Sequence, residues 1–214
     1  MPFDITLAAL AAGVGYIVGS LPFGYLVAKA NGVDIFRVGS CSPGATNVKR
    51  SVGKKAGNLV FVLDFLKGLL ATGWISFLDT YPLYGLIGLL AAVVGHSFSL
   101  FTGFRGGKGV ASMLGGVAAL MPWAALVGVL IWLAVFYTTR YVSVASILLA
   151  ASLPVTNLLI GEEALLFWVS VGLAVVVIVR HKSNIGRLMR GEENRFDKKS
   201  SKAESDSAEA NEST

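Results

Sequence analysis

The sequence predicts an all-α integral membrane protein with about seven transmembrane helical segments. Of its 214 residues, 54% are hydrophobic and 14% are charged, and the mean hydropathy is +0.68. A soluble domain of this size carries about 25% charged residues. The apolar residues form long stretches separated by short polar loops, and about 20 apolar residues suffice to cross the hydrocarbon core of a bilayer.

Six apolar stretches follow one another along the chain, and two of them contain a proline that predicts a break. They cover residues 4–28, 58–78, 83–101, 109–137, 142–160 and 164–179. Pro22 predicts a kink near the end of the first stretch. Pro122 divides the fourth into two short helices, which either cross the membrane twice or form a re-entrant pair.

The distribution of basic residues predicts the orientation of these helices. Four segments hold 17 of the 18 lysines and arginines, namely 29–57, 102–108, 138–141 and 180–214. The turns at 79–82 and 161–163 hold none. Because short cytoplasmic loops are enriched in lysine and arginine, we expect the N-terminus outside and the C-terminus in the cytoplasm.

Composition also bounds the domains and excludes several functions. We expect one membrane-embedded domain over residues 1–195 and a disordered, charged cytoplasmic tail over 196–214, which after Phe196 lacks apolar residues beyond alanine. The net charge of +5 resides in loops between apolar spans and does not indicate nucleic-acid binding. A single cysteine allows no internal disulfide, and with two histidines it gives no His/Cys metal cluster.

The central loop at residues 95–112, GHSFSLFTGFRGGKGVAS, is the most informative stretch of the chain. It combines His96 with Arg105, Lys108 and five glycines between two apolar segments. Glycine-rich backbone and cationic side chains bind phosphate or carboxylate groups. The alternative is a flexible basic loop that only orients the protein.

A second polar loop, residues 39–57, carries Ser40, Thr46, Asn47 and Arg50. Hydroxyl and amide groups beside a guanidinium suit phosphate oxygens, although the glycines and serines alone would also fit a turn followed by a helix cap. Asp64 and Lys67 lie three residues apart within a span, which predicts either an ion pair or a substrate contact.

His96, His181 and Asn184 lie at the ends of spans. Each is either an interfacial polar residue or a member of a catalytic site. The sequence contains no Walker A motif and no GxSxG elbow. Neither histidine is followed five residues later by an aspartate, as the glycerolipid acyltransferase pattern of His, four residues and Asp requires, since Phe101 and Gly186 occupy those positions.

Several separated motifs resemble the bacterial PlsY family, the acyl-phosphate:glycerol-3-phosphate acyltransferases. They are Ser20–Gly24 through Asp34-Ile35, Gly39-Ser40 with Pro43–Val48 and Arg50, Val62–Asp64 with Lys67-Gly68, Gly95–Ser99, Gly106–Ser112, and Arg180-His181 with Asn184-Ile185 and Arg187-Leu188. The resemblance covers about residues 10–195. It implies a seven-helix membrane fold with the active site on the cytoplasmic side of the bacterial inner membrane.

The resemblance also implies a reaction and a set of site residues. A fatty acyl group moves from acyl phosphate to the sn-1 hydroxyl of glycerol 3-phosphate, without a cofactor or metal, and gives lysophosphatidic acid and phosphate. The further expected partners are membrane lipids and an acyl-phosphate synthase. The implied catalytic residues are Ser40, His96, Lys108 and His181. The implied substrate-binding residues are Thr46, Asn47, Arg50, Gly106, Gly107, Ser143 and Asn184.

Within this scheme, Lys108 is a phosphate clamp, His181 and Asn184 position the acceptor, and His96 is either a proton acceptor or a structural hydrogen-bonding group. The sequence departs from the family pattern at Cys41 and Ser42, where family members usually have glycine and asparagine. If a positive φ is needed there, Cys41 is strained. This departure leaves a degenerate, non-catalytic paralogue as one alternative, and a permease for an organic anion is the other.

Overall fold

The computed structural model describes residues 3–78 and 81–196, and ten α-helices lie within these ranges. They are α1 (Ile5–Ser20), α2 (Phe23–Ala30), α3 (Ala45–Ser51), α4 (Lys54–Gly73), α5 (Pro82–Ser97), α6 (Val110–Leu120), α7 (Pro122–Thr139), α8 (Val142–Ile160), α9 (Ala164–Arg180) and α10 (Lys182–Met189). Short 3-10 helices follow α4 and α5, at Trp74–Phe77 and Leu100–Thr102. The described ranges contain no β-strand, which confirms the all-α prediction.

The break predicted at Pro22 is confirmed, because α1 and α2 are separated at Leu21 and Pro22. Proline has no N–H and cannot continue the helical hydrogen-bond ladder. The carbonyl oxygen of Leu21 accepts a hydrogen bond from Lys67 Nζ on α4 at 2.7 Å. A polar side chain from a neighbouring helix therefore contacts the backbone at the break, as the interior of a membrane protein requires.

The break predicted at Pro122 is also confirmed. Helix α6 follows Gly109, whose φ is +81°, and ends before Met121, and Pro122 is the first residue of α7. Proline suits that position because its missing N–H has no intrahelical partner there. At 11 residues, α6 is only about 16 Å long, which is too short to cross a bilayer core of about 30 Å.

Five segments are long and apolar enough to cross a membrane, counting α1 with α2 as one, and α9 with α10 forms a sixth that is bent by 57°. Many large apolar side chains of these helices are exposed, including Leu159 at 80% and Trp168 at 65%. A bilayer would cover such surfaces. The number of crossings and the orientation of the termini stay predictions. Residues 197–214 of the predicted tail lie outside the described ranges.

Small residues let the helices pack closely around the site. A Cβ atom on Gly19 of α1 would lie 2.3 Å from the carbonyl oxygen of Ala92 on α5, and one on Gly68 of α4 would lie 1.9 Å from that of Ser112 on α6. Such close backbone approach is the usual way in which membrane helices associate. These contacts bring the end of α5, the start of α6 and the middle of α4 together beneath the central loop.

Candidate active site

The polar groups of the basic segments meet in one cluster. Lys108, from the central loop, donates a hydrogen bond to Asn184 Oδ1 on α10. Asn184 Nδ2 donates to Glu193 Oε1 at 2.6 Å, and Ser143 Oγ at the start of α8 donates to the same oxygen at 2.8 Å. Three predicted residues from three separate parts of the chain, Lys108, Ser143 and Asn184, are therefore brought together.

Glu193 lies at the centre of this cluster, and the sequence analysis missed it. Only 8% of the residue is exposed, and its second carboxylate oxygen accepts a hydrogen bond from Arg187 Nε at 2.8 Å. Burial alone would raise the pKa of this carboxyl, but hydrogen bonds from Asn184, Ser143 and Arg187 outweigh it, and the pKa lies below its usual value. Glu193 is therefore an anion at neutral pH.

Lys108 lies in a strongly electropositive environment. Burial lowers its pKa to about 8; Glu193 opposes this shift, whereas Arg187, Arg50 and Arg180 add to it. The cluster thus contains four positively charged groups, three guanidinium groups and one ammonium group, but only one carboxylate. An excess of half-buried positive charge of this kind is suited to an anionic ligand with several oxygen atoms, such as a phosphate ester.

The Gly106-Gly107-Lys108 turn is fixed from two sides. Arg180 Nη2, at the end of α9, donates to the carbonyl oxygen of Gly107 at 2.7 Å and also lies 3.5 Å from that of Gly106. From below, the N–H of Gly107 donates to the backbone carbonyl of His96 at 3.1 Å. Arg180 belongs to the C-terminal motif of the family resemblance, but only the tertiary structure shows that it fixes this turn.

His96 lies beneath the turn, in a buried network of charged and polar groups. Its Nδ1 is 3.2 Å from Ser112 Oγ and 3.6 Å from Asp64 Oδ1, and Asp64 forms a 2.7 Å ion pair with Lys67. A Cβ atom on Gly107 would lie 2.2 Å from His96 Nε2, so this glycine packs directly on the imidazole. Both of its predicted roles, proton acceptor and structural hydrogen-bonding group, stay predictions.

His181, between α9 and α10, is 3% exposed. Its Nδ1 is 2.7 Å from the carbonyl oxygen of Val177. Since a carbonyl only accepts hydrogen bonds, Nδ1 carries the proton and Nε2 of the neutral ring is an acceptor. The ring lies within electrostatic range of Lys108 and Glu193. His181 can therefore accept a hydrogen bond from a substrate hydroxyl beside the cationic cluster.

The loop before α3 is organised by Asn47. Its Nδ2 donates to the carbonyl oxygens of Ser42 at 2.9 Å and of Val38 at 3.0 Å, and its Oδ1 accepts from the N–H of Ser40 at 3.0 Å. The amide is thus occupied by backbone groups. Ser40 is exposed and Thr46 is half-buried. Direct contact of Ser40, Thr46 and Asn47 with substrate stays a prediction.

Cys41 in this loop has a φ of +51°, which confirms the positive φ on which the predicted strain depended. For a residue with a Cβ atom, this left-handed conformation costs about 1–2 kcal/mol. Cys41 is exposed and free. Among the described residues, no group of three or more His, Cys, Asp or Glu side chains is arranged to hold a metal ion.

The fold and this site define an integral membrane protein with a cluster of cationic side chains at the ends of its helices. Residues 9–191 match the family model of the glycerol-3-phosphate acyltransferases. The chain is 44% identical over 187 residues to a glycerol-3-phosphate acyltransferase of Aquifex aeolicus, covering 85% of this chain and 95% of the relative. An enzyme of the same name from Endomicrobium trichonymphae is 42% identical over 184 residues, which cover 86% and 92% of the two chains.

Two solved structures are similar over most of their length. The glycerol 3-phosphate form of PlsY, an integral membrane glycerol 3-phosphate acyltransferase, matches with a TM-score of 0.84 at 40% identity, covering 89% of this chain and 96% of that one. The lysophosphatidic acid form matches with a TM-score of 0.81 at 40% identity, covering 89% and 95%. The chain belongs to the glycerol-3-phosphate acyltransferase family, as the motifs predicted.

Proposed function

We propose that the chain transfers a fatty acyl group from acyl phosphate to the sn-1 hydroxyl of glycerol 3-phosphate. Lysophosphatidic acid and inorganic phosphate are the products. The observation that carries the proposal is the convergence of Arg50, Arg180 and Arg187 on Lys108, where Glu193 is the one carboxylate of the cluster. Both substrates are phosphate esters or anhydrides, and a site that must hold two phosphate groups needs more positive than negative charge.

The chemistry requires little from the protein beyond binding and orientation. Acyl phosphate is a mixed anhydride with a good leaving group, so the sn-1 oxygen attacks the acyl carbon and the bond from that carbon to the phosphate oxygen breaks. Lys108 and Arg50 hold phosphate oxygens and stabilise the negative charge that develops on the carbonyl oxygen. His181 Nε2 orients the hydroxyl, and the hydroxyl proton is taken up by the released phosphate.

Four more of the predicted residues have a role in this scheme. Gly106 and Gly107 bring backbone close to the phosphate under the restraint of Arg180. Asn184 accepts directly from Lys108, Ser143 supports it through their shared acceptor Glu193, and together they fix the direction of the ammonium group. The alternative of an anion permease would use the same charges but would form no product.

We also propose that this site faces the cytoplasm at the inner membrane of a bacterial cell. The four basic segments used in the orientation argument contact one another: Arg50 with Asn194, Lys108 with Asn184, and Arg140 with Phe196. This mutual contact supports their predicted location on one side of the membrane. Because acyl phosphate is reactive in water, we propose an acyl-phosphate synthase as the partner that supplies it.

The test is acyl transfer by the purified protein in lipid, with labelled glycerol 3-phosphate and either palmitoyl phosphate or palmitoyl-CoA. We expect label in lysophosphatidic acid with palmitoyl phosphate alone. Product with palmitoyl-CoA at a comparable rate would contradict the proposed donor. Folded protein that gives no product with either donor would refute catalysis, and transport across a vesicle membrane would then be measured.

A further inference from the structure

The chain does not leave the site after α10 but folds back across it. Gly191, with a φ of +72°, turns the backbone, and the N–H of Glu192 donates to the carbonyl oxygen of Arg187 at 2.8 Å. The segment that follows this turn, residues 191–196, is called the C-terminal strap here. Glu193 is its buried residue, and Phe196 is the last residue that the structure describes.

The far end of the strap is anchored on the corner between α7 and α8. The N–H of Phe196 donates to the carbonyl oxygen of Arg140 at 3.0 Å, and its ring contacts that of Phe136 edge-on, with 5.9 Å between centroids. The guanidinium carbon of Arg195 lies 5.4 Å from the centroid of the Tyr141 ring. The strap therefore joins α10 to a corner that is remote from it in sequence.

The strap also contacts Arg50, the residue that the proposed function places at a substrate phosphate. Arg50 Nη2 donates to the carbonyl oxygen of Asn194 at 3.0 Å, and its guanidinium carbon lies 4.6 Å from the centroid of the Phe196 ring. One contact fixes a donor atom of the guanidinium and the other fixes its position over a ring face. Both contacts come from the strap, and Arg50 itself comes from α3.

We propose that Phe196 is a positioning residue for Arg50. Its aromatic face and the carbonyl of Asn194 hold the guanidinium towards Lys108 and Glu193, so that Arg50 meets the phosphate of glycerol 3-phosphate already oriented. An arginine side chain has several rotatable bonds, and fixing it before binding removes the entropic cost of ordering it when the ligand arrives. This inference rests on the proposed function of Arg50, and it adds a residue that contacts no substrate.

The test compares Phe196→Leu with Phe196→Tyr in the full-length protein in lipid. Leucine keeps an apolar contact with Phe136 but has no ring face, whereas tyrosine keeps the ring. Since cation–π contacts of this kind stabilise by about 1 kcal/mol, we expect Phe196→Leu to raise the KM for glycerol 3-phosphate about fivefold. We expect kcat within about twofold of wild type and Phe196→Tyr close to wild type in both constants. The matched control is Phe61→Leu, at an exposed position on α4, with unchanged kinetics.

A double-mutant cycle with Arg50→Ala separates positioning from general stability. If Phe196 acts through Arg50, Phe196→Leu causes no further rise in KM once the guanidinium is absent. The same fivefold rise in the Arg50→Ala background would overturn the proposal, as would a wild-type KM for Phe196→Leu or a loss confined to kcat. Where Arg50→Ala does not fold, as judged by gel filtration, Arg50→Gln takes its place because glutamine has no cation to place over the ring.

Calorimetry on the same variants measures the Kd for glycerol 3-phosphate, and this value tests the positioning role of Phe196 independently of acyl transfer. Absence of acyl transfer by the wild-type protein would refute the proposed function. A fivefold higher Kd for Phe196→Leu, abolished in the Arg50 background, would still support the positioning role. An unchanged Kd would overturn it whatever the catalytic result.

Discussion

Replacement of Gly107 by alanine tests whether the central loop is held at one position by the groups above and below it. The φ of Gly107 lies outside the left-handed region, so alanine introduces no backbone strain, and its effect is steric. The new Cβ atom would lie 2.2 Å from His96 Nε2, 3.1 Å from Cε1 and 3.2 Å from Cδ2. Ordinary contact requires at least 3.4 Å, so a displacement of about 1.2 Å is needed.

Neither neighbour can move freely. His96 is held beside Ser112 and Asp64, and the carbonyl of Gly107 is held by Arg180 at 2.7 Å. The displacement is therefore passed on to Lys108, the next residue. A misplacement of about 1 Å costs about 100-fold in rate, or about 2.7 kcal/mol. We expect Gly107→Ala to lower kcat/KM for glycerol 3-phosphate by about this factor.

The assay is initial-rate acyl transfer with varied glycerol 3-phosphate and saturating palmitoyl phosphate, on protein whose thermal unfolding midpoint is measured in parallel. The matched control is Gly172→Ala in α9, where a Cβ atom meets nothing within 4 Å, and we expect its kinetics to be those of wild type. A loss of less than threefold for a folded Gly107→Ala protein would refute the argument. It would show that the loop and His96 can move apart without disturbing Lys108.

Three further predictions follow from single residues. Because the pKa of Lys108 is about 8, its charge is lost as the pH rises through that value, so the KM for glycerol 3-phosphate should rise about tenfold per pH unit above 8. Lys108→Arg should shift this rise to higher pH. If the rise in KM stays at the same pH in Lys108→Arg, another group causes it. Cys41→Gly should have a free energy of unfolding about 1 kcal/mol higher than that of Cys41→Ala, since only glycine relieves the φ of +51°, and equal stability of the two variants would contradict this. Cys41→Gly with Ser42→Asn should retain or raise activity, and a total loss of activity would contradict that expectation. Glu193→Gln should lower the stability of the folded state by about 2 kcal/mol because Arg187 loses its charged acceptor, and an unchanged thermal midpoint would count against this role.

Features that depend on local backbone chemistry were predictable from the sequence. Both helix breaks occur at prolines, and the clustering of cations agrees with the prediction that the basic loops share one side of the apolar spans. The positive φ of Cys41 was raised as a condition, because Cys41 replaces a residue that is usually glycine in the family. These properties belong to single residues or short windows, so no knowledge of distant contacts was needed.

The missed features depend on distant contacts. Glu193 lies in a stretch that is charged throughout, and only the turn at Gly191 and the contacts with Ser143 and Asn184 distinguish it from Glu192 beside it. The sequence likewise could not decide between the two roles of His96. Its surroundings are set by the close approach of α4, α5 and α6, which apolar periodicity does not reveal.

The two charge clusters of this protein differ in how their charges are balanced. In the cluster beneath the central loop, Asp64 pairs with Lys67, and Lys67 also donates to the carbonyl oxygen of Leu21, so the charges of this pair are balanced within the protein. Around Lys108, burial is the largest cause of the lowered pKa, and repulsion from the guanidinium groups adds to it. A bound phosphate dianion would offset that repulsion and raise the pKa again. Binding of glycerol 3-phosphate above pH 8 should therefore be accompanied by proton uptake at Lys108, because burial and the excess of positive charge together keep this lysine easily deprotonated until the anion binds.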